Sequence, residues 1–237
     1  MKPIDFFPKF NELDLYSTKV DFHLHSTWTD GKNSIQEIID YAKSIGLHSI
    51  AITDHIRESS SYFDEYKKEI NILDNNQEIN IYTGFEAKVS NFCGNIDVKK
   101  EVAEVADIAI VSVHRYPLGN RLYNASDFKK NIAQEIELEL SLAALKQGGF
   151  NVLGHPGGMS LTYFKKFPAD FYEEIIIECV KNEIAFDFNG RYHKNIFNVL
   201  CPLLNKHNPH ISIGTDSHCI DKMGIWNKKL EEYVKWL

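Results

Sequence analysis

The stretch Val20–His55, VDFHLHSTWTDGKNSIQEIIDYAKSIGLHSIAITDH, holds one complete strand–helix–strand unit. Val20–His25 is a short apolar run rich in strand formers. In Ser34-Ile-Gln-Glu37 the serine hydroxyl can cap a free N–H while the glutamate reaches back to the cap, a helix start. Ile35, Ile38, Ile39, Ala42 and Ile45 follow at helical spacing, and Gly46 supplies a left-handed stop. HSIAITDH then reads as a second buried strand.

The same grammar recurs along the chain. Helical stretches are expected near residues 61–74, 98–106, 126–147, 169–182, 194–206 and 226–236, and strands at 79–85, 107–113, 151–154, 184–189 and 210–214. Near-continuous apolar strands separated by helices indicate a parallel sheet covered on its outer face. Seven such units without a linker favour one α/β domain spanning residues 1–237, a closed or nearly closed β/α barrel.

Composition narrows the function. An apolar fraction of 43% and a charged fraction of 25% suit a globular protein with a full core. A net charge of −7 argues against a long nucleic-acid partner, which calls for a basic surface. No apolar run is long enough for a transmembrane helix, and the acids and prolines of MKPIDFFPKFNELDLY do not suit a secretory signal, so a cytoplasmic protein is expected. Cys93, Cys179, Cys201 and Cys219 show no paired spacing and read as reduced thiols.

The histidines carry the chemistry. One H-x-H pair is weak evidence, but six of the ten histidines fall at or just beyond the C-terminal end of an expected strand: His23, His25, His55, His114, His155 and His218. Glu86 ends another strand, Asp216 precedes His218 by two, and Asp30 lies in the turn T-D-G. In a parallel barrel these ends open onto one face, where such folds build their sites. Nine ligand-type side chains therefore converge. Imidazole with carboxylate and no thiolate suits Zn²⁺, Mn²⁺ or Fe²⁺, and nine ligands exceed the needs of one ion but suit three that share carboxylates.

In this order, H-x-H, T-D-G, T-D-H, the isolated glutamate, S-V-H, G-H-P and D-x-H, the chain resembles the PHP family of polymerase-associated and histidinol-phosphatase domains, from about Val20 to about His218. The resemblance implies a distorted, TIM-like (β/α)7 barrel with a trinuclear metal site. It implies one ion on His23, His25, Glu86 and Asp216, a second on Glu86, His114 and His155, and a third on Asp30, His55 and His218. Asp54 is expected to orient a ligand from behind. The implied reaction is attack of a metal-bridging hydroxide on a small phosphomonoester, histidinol phosphate being a natural candidate. A phosphodiesterase or nuclease of the polymerase-associated type is the alternative, and a non-catalytic interaction module would show lost ligands, of which there are none.

Only four of the 26 basic residues are arginine, and all lie in segments that follow strands. Guanidinium grips phosphate with two parallel bonds, which lysine cannot do. Arg115 and Arg191 are the expected phosphate clamps, with Arg57 and Arg121 as lesser candidates. Asn189 is a candidate substrate ligand, and His193 a candidate proton donor to the leaving group. His48, His207 and His210 read as structural, and the helix with Trp226 and Trp236 as packing.

Overall fold

The computed structural model describes residues 1–74, 78–119 and 121–235; Trp236 lies outside them. Seven parallel strands form one sheet in the order β1 (Val20–Leu24), β2 (Ser49–Ile52), β3 (Asn80–Lys88), β4 (Ile108–Ser112), β7 (Val152–Leu153), β8 (Ala185–Asn189) and β9 (Ile211–Gly214). Each strand but β3 is buried along its whole length, as the continuous apolar runs require. The remaining pair, β5 (Tyr116–Leu118) and β6 (Arg121–Tyr123), is an antiparallel hairpin at the mouth, where no strand is among those expected.

The sheet curls until its edges meet. Leu24 of β1 bridges Ser217 just beyond β9, the His25 N–H donates to the Ser217 carbonyl at 3.0 Å, and the Asp21 carboxylate accepts from the Thr215 N–H and hydroxyl. At the other end the N-terminal segment bonds the last strand, with Lys9 bridging His210. The result is a nearly closed seven-stranded barrel, wrapped by helices.

Those helices form where the periodicity placed them. Ile35–Ser44 begins with the expected reciprocal cap between Ser34 and Glu37 and buries Ile35, Ile38, Ile39 and Ala42. A cap of this kind stabilises by about 1 kcal/mol. The 18-residue helix Lys130–Gln147 ends at Gly148, as expected. A short helix, Gly158–Phe164, was not expected; buried Glu137 accepts from its Met159 and Ser160 N–H groups and fixes the loop after β7. All four cysteines are free thiols. No described helix is long and apolar enough to cross a membrane.

Candidate metal centre

The strand ends converge at the mouth of the barrel. Alternation along β1 points His23 and His25 inward together, and both are fully enclosed. His23 Nδ1 bonds the Asp187 carboxylate at 2.9 Å, which turns Nε2 toward Glu86 at 3.4 Å and Asp216 at 3.8 Å. His25 Nε2 stands 3.1 Å from Asp216 and 3.6 Å from Glu86. None of the approaches by the two Nε2 atoms has hydrogen-bond geometry. Among the described residues, His23 Nε2 and both nitrogens of His25 are buried without a hydrogen-bond partner.

Glu86, at the end of β3, is the hub. One oxygen meets His155 Nε2 at 2.9 Å, His114 Nε2 at 3.1 Å and the Ser112 hydroxyl at 2.6 Å; the other meets His55 Nδ1 at 3.2 Å. On the outer side, Asp30 lies 3.1 Å from His218 Nε2 and 3.4 Å from His55 Nε2. Asp30 is carried by a turn that folds back on β1, where a Cβ at Gly31 would sit 2.2 Å from the His25 carbonyl oxygen. Only glycine fits there.

Four overlapping groups result: His25, Asp30, His55 and His218; His23, His25 and Asp216; His23, Glu86 and His155; His55, Glu86 and His114. Within each group the ligand atoms lie inside 4.8 Å of one another. Together the groups contain the nine residues singled out from sequence.

These residues fit a cluster of cations. Buried imidazole nitrogens without partners are costly unless something else binds them. Burial would raise the Glu86 and Asp216 carboxyls, yet both are held below their ordinary range, Glu86 by His114 and His23 and Asp216 by His25 and His23. Bonds to His218 and His55 hold Asp30 down as well. Three carboxylates thus stay ionised among six imidazoles.

A second layer holds this arrangement. Asp187, absent from the sequence candidates, accepts from His23 Nδ1, from the His155 N–H at 3.0 Å and from Asn189 Nδ2 at 3.0 Å. Its signal was a lone acid in the apolar strand AFDFN, on the same inward side as Asn189. His155 and Asp216 both adopt positive φ, 28° and 49°, backbone conformations that persist only where the surroundings enforce them.

Some expectations change. Among the described residues Asp54 makes no hydrogen bond to an imidazole; it accepts from Ser26 N–H at 2.9 Å, the Ser26 hydroxyl and the Thr29 hydroxyl, so it holds the loop that carries Asp30. Asn189 is fully buried; its amide donates to Asp187 and accepts from the Arg191 N–H, so it serves the second layer and does not face the mouth. His193 is not placed to donate a proton. The short helix Gly190–His193 turns its ring into the wall, where Nε2 bonds the Pro156 carbonyl at 2.9 Å and Nδ1 accepts from the Asn189 N–H at 3.1 Å. Burial lowers its pKa to about 4, so the ring stays neutral.

Among the described residues Arg191 is the one arginine that bonds the cluster, donating to Asp216 at 2.8 Å beside His218. Its guanidinium lies 5.4 Å from the Tyr192 ring, which in turn covers His155. Arg57 lines a shallow depression with His55, Glu86 and His114. Arg115 and Arg121 are exposed at the start and turn of the hairpin region, with no contact to the cluster among the described residues. His48 and His210 bond backbone carbonyls and His207 bonds Glu173, all apart from the cluster, while Trp226 packs under β8 with its N–H on the Phe188 carbonyl.

Known proteins resemble this chain in sequence and in fold. A protein of Caldicellulosiruptor saccharolyticus bearing the name "Probable phosphatase" is 25% identical over 226 residues, which cover 91% of this chain and 87% of that one. A DNA polymerase/3'-5' exonuclease of Bacillus subtilis is 24% identical over 220 residues, covering 89% of this chain but 36% of that protein. Histidinol phosphate phosphatase from Lactococcus lactis, solved with zinc, L-histidinol and phosphate, superposes with a TM-score of 0.74 at 21% identity, over 92% of this chain and 93% of its own. The family model for the PHP domain matches residues 21–190, most of the barrel and seven of the nine clustered residues, and the chain therefore belongs to the PHP family.

Proposed function

We propose that this protein is a metal-dependent phosphomonoesterase acting on small substrates, with three divalent ions (zinc, manganese or iron) held by the nine-residue cluster. The observation that carries the reading is the set of buried, unpartnered imidazole nitrogens on His23 and His25 facing Glu86 and Asp216. The three positions are His23, His25, Glu86 and Asp216; Glu86, His114 and His155; and Asp30, His55 and His218. His25 also reaches the last group, and His55 the Glu86–His114 pair, so neighbouring positions share ligands. When bound, such ions supply Lewis acidity at phosphoryl oxygens and an activated water at neutral pH.

The remaining work falls to the chain. Asp187 fixes the tautomer and direction of His23. Arg191 sits half-exposed at the rim with one nitrogen on Asp216, leaving the other edge of its fork for phosphate oxygens. Tyr192 roofs His155 and excludes water from that side. Arg57 approaches the same face past His55, and Arg115 remains a candidate from the loop after His114.

Histidinol phosphate is the first named substrate to test, because the L. lactis protein binds its two halves. The experiment is steady-state phosphate release by Mn²⁺- or Zn²⁺-loaded protein from p-nitrophenyl phosphate, L-histidinol phosphate and bis(p-nitrophenyl) phosphate, with metal content measured in parallel. Turnover of the monoesters above the diester, with about three ions per chain, is expected. Cleavage of the diester alone would overturn the proposal.

A further inference from the structure

Beside the cluster, and sharing Arg191, Asp216 and His218 with it, lies a cleft of about 530 Å³. Its wall is built from separate parts of the barrel mouth. Lys32 comes from the loop after β1, Arg191 and Lys194 from the segment after β8, Lys222 from the loop after β9, and Lys229 from the helix Ile225–Val234. Trp226 and Gly190 close the floor, packed so tightly that a Cβ on Gly190 would lie 2.5 Å from the Trp226 Cβ.

Most of the cleft's surface is apolar, and the charged residues set around it are of one sign. Five cations line it, and its single lining acid, Asp216, already belongs to the metal cluster. Among the described residues no carboxylate pairs with Lys32 or Lys194. Lys229 donates to the Lys194 carbonyl at 2.7 Å and lies over the Phe197 ring, which holds it in place without neutralising it. Lys222 has one exposed partner, Asp221 at 3.5 Å, outside the wall; Asp221 also feels Lys32. In a chain with more acids than bases, this is a local reversal of sign. Clefts lined by one sign of charge concentrate ligands of the other.

From this cleft we infer that the leaving group of the substrate carries a second anionic group, a carboxylate or a phosphate, which the lysines bind while the cluster takes the scissile phosphate. The inference rests on the phosphomonoesterase reading and narrows it. Histidinol, whose amine is a cation at neutral pH, is the wrong sign for this wall. A phosphorylated acid or a bisphosphate is the right one.

The test uses four-carbon alkyl phosphates that differ only at the far end: methyl, ammonium, carboxylate or a second phosphate. Exposed ion pairs are individually weak, but several acting together give an expected preference in kcat/KM of about tenfold for either anionic end over methyl, and more over ammonium. That preference falls as ionic strength rises. In the Lys32→Gln/Lys194→Gln double variant the ratio of anionic to methyl-ended rates drops to within about threefold. A non-hydrolysable phosphonate of the same length binds more tightly by calorimetry when it ends in carboxylate. Equal rates across the series, or a preference for ammonium, overturn the inference while leaving the phosphomonoesterase reading intact. Failure to hydrolyse any member, and p-nitrophenyl phosphate as well, overturns both. A preference for phosphate over carboxylate, or the reverse, identifies which anion the wall takes.

Discussion

Replacing Asp187 separates charge from geometry at the back of the cluster. Three donors, His23 Nδ1, the His155 N–H and Asn189 Nδ2, converge on one carboxylate oxygen, while the other oxygen is buried without a partner. In Asp187→Asn the amide oxygen can take the first position, so the three bonds survive while the charge is lost and the amide NH2 takes the place of the unpartnered oxygen. A hydrogen bond to a charged group contributes about 1.5–3 kcal/mol and a neutral one about 0.5–1.5, a difference of about 1–1.5 kcal/mol. That predicts a fall of about tenfold in affinity for the ion held by His23. Asp187→Ala removes the acceptor too and frees the imidazole to rotate, which predicts a loss nearer 100-fold. The assay is zinc competition against a chromophoric chelator at neutral pH, with thermal unfolding of metal-free protein run alongside to separate folding from binding. Affinity of Asp187→Asn within twofold of wild type, or Asp187→Ala no worse than Asp187→Asn, would refute the assignment.

Arg191→Ala is expected to lower kcat/KM by about 10- to 100-fold through lost charge-assisted bonds to phosphate, with Arg191→Lys recovering only part of it; unchanged steady-state kinetics would remove Arg191 from the site. His193, buried and neutral with its pKa lowered to about 4, binds fewer protons folded than unfolded, so its contribution is full above about 6.5 and is lost as the pH falls through 4. Denaturant unfolding of metal-stripped protein should show wild type losing about 2–3 kcal/mol more than His193→Gln between pH 7 and pH 4, while the pH dependence of kcat keeps its shape in the variant. Stripping the metals is expected to abolish phosphate release and lower Tm. At an ion concentration about 100 times Kd each site contributes about 2.7 kcal/mol, or about 5–10 °C in a chain of this size, and calorimetry before and after chelation measures it.

The barrel and the convergence of its nine candidate ligands were legible in the sequence because both obey short-range rules. Strands and helices announce themselves by period, and a parallel barrel sends every strand end to one face, so His55, Glu86, His114 and His155 could be brought together without knowing any contact. What could not be read depends on where a side chain turns after its strand ends. Nothing in R-Y-H distinguishes Arg191, which reaches Asp216, from His193, which the same helical turn drives into the wall. Asp54 stands beside a ligand in sequence but bonds the Ser26–Thr29 loop in space. Asp187 sits in a strand that the apolar pattern marks as core, and its charge makes sense only once β8 is beside β1's histidine. The hairpin carrying Arg121 does carry a two-residue turn signal, Gly119-Asn120, but nothing in the sequence says where the hairpin lies relative to the cluster.

The seam of the barrel has a further consequence. The first and last strands meet through Asp21 and Thr215, 194 residues apart, and through a short run of bonds about Ser217. His23 and His25 stand on one bank of that seam, Asp216 and His218 on the other. An ion shared between them would tie the two ends of the sheet together much as a crosslink closes a long loop, and the chain entropy removed by such a closure grows with loop length. Catalytic metal and barrel closure would then be one event. Amide exchange should slow most along β1 and β9 when metal is added, far from any substrate, and the finished cylinder would be something the protein acquires with its ions.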